Sequence, residues 1–248
     1  MTPEEAGAVA GEIERECRES GMPERAENEK RYLKSDLEFA GASVPAIQSI
    51  TKAVLQRHEP VGREAMLALV EALWQKPLHD RRMAATIVLE RKQALLLPED
   101  IAVIERLLRE SRTWALMDGI AASVVGPLVE RAPELASTLD RWATDDDFWI
   151  RRSALLAHLL PLRNGGGDWE RFTRYADAML DEKEFFIRKA IGWVLRDTAR
   201  KRPGMVYEWV APRTHRTSGV TIREVVRWLS PEQREILMAA YKAKRPVD

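Results

Sequence analysis

Apolar residues recur along this chain at intervals of three and four, with polar residues between them. That spacing lines one face of an α-helix, and no stretch shows the strict alternation of a half-buried strand. The pattern predicts helices over residues 5–20, 24–38, 45–57, 62–75, 80–94, 99–110, 112–131, 133–143, 147–162, 168–180, 184–201, 203–210, 220–229 and 231–243. Prolines punctuate them, among them Pro23, Pro45, Pro60, Pro77, Pro98, Pro161, Pro203, Pro212 and Pro231. Several fall where a first helical turn begins or just beyond a helix end, the positions where a missing N–H costs least. The run Gly165-Gly166-Gly167 reads as a short loop.

Short helices joined this tightly suggest stacked pairs, and an internal repeat supports that arrangement. Phe148-Trp149-Ile150-Arg151-Arg152-Ser153-Ala154 is echoed 37 residues later by Phe185-Phe186-Ile187-Arg188-Lys189-Ala190-Ile191. Asp80-Arg81-Arg82-Met83-Ala84 matches Ile150-Arg151-Arg152-Ser153-Ala154 at twice roughly that period. Helix-pair repeats of the HEAT and armadillo type run near ~40 residues. The expected fold is therefore all-α: a HEAT-like α-solenoid of stacked antiparallel helix pairs, forming one domain over residues 1–248 with a concave face. In such a stack Arg82, Asp118, Arg152 and Lys189, spaced 36, 34 and 37 residues apart, form a column with one acid among three bases. A column of helix-starting arginines that merely solvate the surface gives the same spacing.

Composition narrows the function classes. Thirty-nine basic and 39 acidic residues leave no net charge, so the chain is not a uniformly basic nucleic-acid binder. The average hides an asymmetry: residues 1–30 carry nine Asp/Glu against four Lys/Arg, and residues 200–227 carry seven Lys/Arg against two Glu. A neutral protein can thus present a basic face. One cysteine, Cys17, excludes an internal disulfide framework, and the four histidines show no metal-ligand spacing. The polar, acidic start lacks the form of a secretory signal, no apolar run is long enough for a bilayer, and a lone thiol fits a reducing compartment, so a cytoplasmic protein is expected. A monomer that needs no metal or cofactor is expected as well.

The candidate chemistry lies at Trp114 and Asp118, four residues apart and so on one helical face among apolar neighbours. A carboxylate in that setting needs a partner or a task. Trp193 follows Lys189 by four residues and extends the column. Taken singly, each of these residues is more simply structural: the indoles as core, the acid as half of an ion pair. Two indoles and an acid on one face make a site for a cation.

At these residues the sequence resembles the AlkD-like family of DNA alkylation repair glycosylases, from about Tyr32 to the C-terminus. The resemblance rests on Leu73-Trp74-Gln75-Lys76-Pro77 with His79-Asp80-Arg81, on Trp114-Ala115-Leu116-Met117-Asp118 and on Trp149-Ile150-Arg151-Arg152. It continues through Lys183-Glu184-Phe185-Phe186-Ile187-Arg188-Lys189-Ala190-Ile191-Gly192-Trp193. It implies a HEAT-like solenoid whose concave groove holds duplex DNA, and hydrolysis of the N-glycosidic bond of N3- and N7-alkylpurines such as 3-methyladenine and 7-methylguanine. By position it makes Asp118 the catalytic carboxylate, and Trp114 and Trp193 the aromatics that cradle the damaged nucleotide. Arg152 and Tyr32 become DNA contacts, joined by Lys189 from the column. Ser43 stands where the family pattern carries a glutamine.

The resemblance further implies base excision without base flipping. No pattern points to a Schiff-base lysine, so a monofunctional enzyme is expected. Two other readings fit a helical repeat: a non-catalytic protein that recognises DNA structure, and a scaffold that binds other proteins. Retention of Trp114 and Asp118 separates catalysis from the first, and a basic rather than apolar or acidic face separates DNA from the second.

Overall fold

The computed structural model describes residues 1–59 and 61–243; Pro60 lies outside them. Among the described residues the regular structure is helical, and the one extended pairing is an isolated backbone bridge between Glu38 and Leu78. The chain divides into two compact units, Met1–Ile120 and Ala121–Asp248. No helix among the described residues is long and apolar enough to cross a membrane.

The first unit contains α1 (Pro3–Ser20), α2 (Pro23–Leu33), α3 (Val44–Arg57), α4 (Arg63–Gln75), α5 (His79–Lys92), α6 (Ile101–Ser111) and α7 (Trp114–Gly119). Local chemistry sets the boundaries. Thr2 and Glu5 form a reciprocal capping box at the start of α1, and Ser43 accepts the Ala46 N–H at the start of α3 (3.3 Å). Ile13, Cys17, Ile47, Leu69, Leu73 and Val88 bring the apolar faces of α1, α3, α4 and α5 into one dry core.

Polar groups lock that core to the loop above it. The buried Asp80 carboxylate accepts the backbone N–H groups of Ala40 (2.9 Å) and Ala42 (3.1 Å). Buried Arg81 donates to Glu14 (2.6 Å) and to the carbonyls of Leu73 and Ala72. The expected helix over 24–38 stops at Leu33, because Lys34 turns left-handed (φ 49°) and Leu37 and Phe39 leave the helix to be buried. Phe39 stacks on His79 at 4.5 Å, and the Glu38 backbone pairs with Pro77 and His79. Tertiary burial here outweighs helix continuation.

A π-helical stretch, Ile120–Val125, follows α7. The second unit then holds α8 (Gly126–Arg131), α9 (Ala136–Trp142), α10 (Phe148–Leu156), α11 (Leu159–Asn164), α12 (Trp169–Met179), α13 (Phe185–Ala199), α14 (Pro203–Val210), α15 (Gly219–Val225) and α16 (Pro231–Ala243). The expected helix over 147–162 divides into α10 and α11. Pro161 has no N–H to offer the carbonyl of Ala157, four residues back. Gly126 lies against that carbonyl; a Cβ at residue 126 would come within 2.5 Å of it.

The predicted repeat is visible as chemistry within each unit. Side chains bond across steps of 34–37 residues: Arg63 to Asp100, Trp74 to Glu110, Tyr175 to Asp140, Arg163 to Asp197, Lys189 to Glu224 and Arg213 to Asp177. The echoed aromatic pairs that open α10 and α13 also meet, Phe148 lying parallel to Phe186 at 6.3 Å and Trp149 packing on Phe186 at 4.8 Å. A HEAT-like succession of helix pairs is the architecture these contacts describe.

Candidate functional site

In the first unit, α7 opens at Trp114 after Arg112 adopts a left-handed backbone (φ 47°) and Thr113 an extended one. Leu116 and Met117 are fully buried, so the helix turns its other face outward. Trp114 and Asp118 lie one turn apart on that face, and both are partly exposed. Tyr32, at the end of α2 and 73% exposed, meets Trp114 edge-to-face with ring centroids 6.0 Å apart. Three of the residues singled out in the sequence, Tyr32, Trp114 and Asp118, are therefore gathered on or beside α7.

Two groups near α7 carry chemistry that the sequence reading did not single out. Glu90, on α5, fills the space left by the missing side chain of Gly119: a Cβ there would lie 2.5 Å from its Oε1. Burial pushes the Glu90 carboxyl above the ordinary carboxylate range. The second feature is a cavity of about 450 Å³ lined by Lys34, Arg82, Arg109 and Arg112, with Asp36 and Glu110 as its acids. Lys34 follows Tyr32 by two residues and Arg112 precedes Trp114 by two, so the cavity flanks the aromatic pair. Arg82 stacks over Trp74 (5.0 Å) and donates Nη1 to the Glu110 carbonyl (3.0 Å), while its buried Nε has no partner. Desolvation lowers the pKa of this guanidinium. Arg82 was legible as part of the repeat column; Lys34 and Arg112 had no signal beyond their charge.

In the second unit, Arg152 on α10 is buried rather than exposed, with 2% of its surface accessible. One Nη donates to the Phe186 carbonyl, and the guanidinium lies over the Phe186 ring at 5.7 Å. Part of its function is thus to join α10 to α13. Lys189 on α13 donates to buried Glu224 (2.5 Å) yet keeps 41% of its side chain exposed. Trp193, one turn on, is partly exposed on the same face of α13. The gathering of Lys189 and Trp193 follows from their i, i+4 spacing, whereas the pairing with Glu224 was hidden because it lies 35 residues away.

A predicted DNA alkylation repair enzyme from Enterococcus faecalis has a solved structure similar to this one, with a TM-score of 0.75 and 23% identity. The match covers 86% of this chain and 98% of that one, and it is a likeness of fold. No curated protein matches the sequence significantly. The DNA alkylation repair enzyme family matches residues 13–229, a span that includes Tyr32, Trp114, Asp118, Arg152, Lys189 and Trp193. With that much of its length matched, the chain belongs to the DNA alkylation repair enzyme family.

Proposed function

We propose that the protein is a monofunctional DNA glycosylase that releases positively charged N3- and N7-alkylated purines from duplex DNA, with Asp118 as the catalytic carboxylate. The observation that carries this reading is the outward face of α7, where Asp118 follows Trp114 by one turn and Tyr32 packs edge-on to the indole.

An alkylated purine of this kind already bears a positive charge, so it departs without a general acid. The C1′–N bond breaks, its electron pair neutralises the base, and positive charge develops on the deoxyribose. A fixed carboxylate beside that sugar stabilises the transition state more than the ground state. Asp118 is suited to this role and to orienting the water whose oxygen then bonds to C1′, the water proton passing to the carboxylate and on to solvent. The Trp114 face offers the sugar a cation–π surface, a contact of roughly 0.5–2 kcal/mol. Trp193 and Lys189 contribute DNA contacts from the second unit, while Arg152, buried against Phe186, braces the helices that carry them. Selectivity follows from the charge of the lesion, which removes the need to flip the base into a reading pocket. Uncharged lesions are poor substrates on this mechanism.

The test is base release from methylated duplex DNA by wild type and Asp118→Asn. The variant is expected to lose at least about a hundredfold in excision, the scale of removing one preorganised electrostatic group, while binding DNA normally. Equal excision by the two proteins would remove Asp118 from the mechanism.

A further inference from the structure

The second unit contains a charge network of which the catalytic reading uses only Lys189. Its centres are two buried carboxylates, Asp197 on α13 and Glu224 on α15, with side chains 1% and 5% exposed. Arg163 donates twice to Asp197, and Arg196 donates to Asp197 (3.1 Å) and also to Glu224, joining the two acids. Lys189 bonds the other Glu224 oxygen. Arg200 stands 4.0 Å from Asp197, and Arg227 stands 3.7 Å from Glu224. Burial works to raise the pKa of both acids, but the surrounding cations hold both below the ordinary carboxylate range.

Five cations on two carboxylates leave an excess of three positive charges in a chain with no net charge. Neutrality needs only two of them, and Arg163, Arg196 and Lys189 already satisfy the buried oxygens. Arg200 and Arg227 stand at the outer limit of ion pairing and keep 49% and 59% of their side chains exposed. Such like-charge crowding is unfavourable unless an anion shares it. The array also has direction. Lys189, Trp193, Arg196 and Arg200 follow one another at steps of four, three and four, so they form one stripe along α13. Its length is about 16 Å at 1.5 Å per residue. At its end the Arg200 guanidinium lies 5.0 Å over the ring of Trp228, which is 50% exposed.

We propose that this stripe is a preformed rail for the phosphates of a DNA strand, with Arg200 and Arg227 as phosphate contacts and Asp197 and Glu224 as positioning residues. The idea rests on the reading that duplex DNA is the substrate, and it adds the residues that hold the backbone. Long basic side chains lose rotamer freedom when they bind phosphate. Buried acids that already fix those side chains remove part of that cost, as preorganisation does in any complex.

The experiment is fluorescence anisotropy with a short undamaged duplex, titrated over a range of salt, using the full chain. Arg200→Ala and Arg227→Ala each remove an exposed cation that the buried acids do not require. Each is expected to reduce the slope of log K against log salt by about 0.9 and to weaken binding about eightfold near 0.1 M salt. Glu224→Gln separates positioning from charge. It adds one positive charge to the rail, so charge alone predicts tighter binding, whereas loss of positioning predicts weaker binding. Unchanged salt slopes in both alanine variants would overturn the rail, and tighter binding by a folded Glu224→Gln would overturn the positioning role. Base release by Asp118→Asn, measured separately, decides the catalytic reading, since that substitution leaves the rail intact.

Discussion

Two buried histidines make the stability of this protein depend on pH in a direction that can be worked out. His79 opens α5 under Phe39, and His158 lies between α10 and α11 near Phe172 and Tyr175. Both are nearly inaccessible, and neither Nε2 has a hydrogen-bond partner. Burial lowers each pKa to about 4, against an ordinary value near 6.5; for His79 the neighbouring Asp80 charge opposes this but is the smaller effect. Above pH 6.5 both the folded and unfolded forms are neutral and the stability is fully present. As pH falls from 6.5 towards 4, the unfolded chain takes up protons that the folded chain refuses, so stability is lost. At pH 5, one and a half pH units below the ordinary value, the loss is about 2 kcal/mol per histidine at about 1.4 kcal/mol per unit. His79→Phe keeps a flat ring against Phe39 and removes the titration. Urea unfolding of wild type and His79→Phe at pH 7, 6 and 5 is the assay. The variant is expected to lose about 2 kcal/mol less than wild type between pH 7 and pH 5. Parallel pH dependences would refute the argument by showing that His79 is protonated without penalty.

Two further substitutions test the packing. Gly192→Ala puts a Cβ 3.1 Å from the Thr221 Cα and 3.0 Å from the Glu224 Cβ, so α15 must shift from α13. Overpacking costs about 1–3 kcal/mol and alanine returns up to about 1 kcal/mol in helix propensity, so a net loss of about 1 kcal/mol in chemical denaturation is expected. Glu90→Gln is expected to raise stability at neutral pH. Burial raises the folded pKa of Glu90, so wild type is penalised as pH climbs past the ordinary carboxylate value and the amide is not. A urea midpoint that is unchanged or lower at pH 7 would contradict this.

Much of the fold was legible in the sequence because helix periodicity, capping residues and proline positions act locally. Thr2, Ser43, Asp147, Asp168 and Ser218 all cap helices through their side chains. The early end of α2 and the division of α10 from α11 were not legible. The first depends on Asp80 capturing the backbone of Ala40 and Ala42 from 40 and 38 residues away. The second is set by Pro161, but the apolar spacing runs on across it and masks the break. For the candidate site, the i, i+4 pairs Trp114–Asp118 and Lys189–Trp193 could be read from spacing alone. The partners of Arg152 and Lys189 could not, because the Phe186 carbonyl and Glu224 come from other helices. Glu90 had no signal at all, since a lone acid in an amphipathic helix ordinarily faces water.

Cys17, the one thiol of the chain, is fully buried in α1, and burial pushes its pKa up to about 12. At neutral pH only about one molecule in 10⁵ carries the thiolate, the form that electrophiles attack. The thiol of the native protein is therefore a poor target for alkylating reagents. The same burial makes maleimide labelling a report on opening of the α1 core, and leaves the native surface free for a single engineered cysteine.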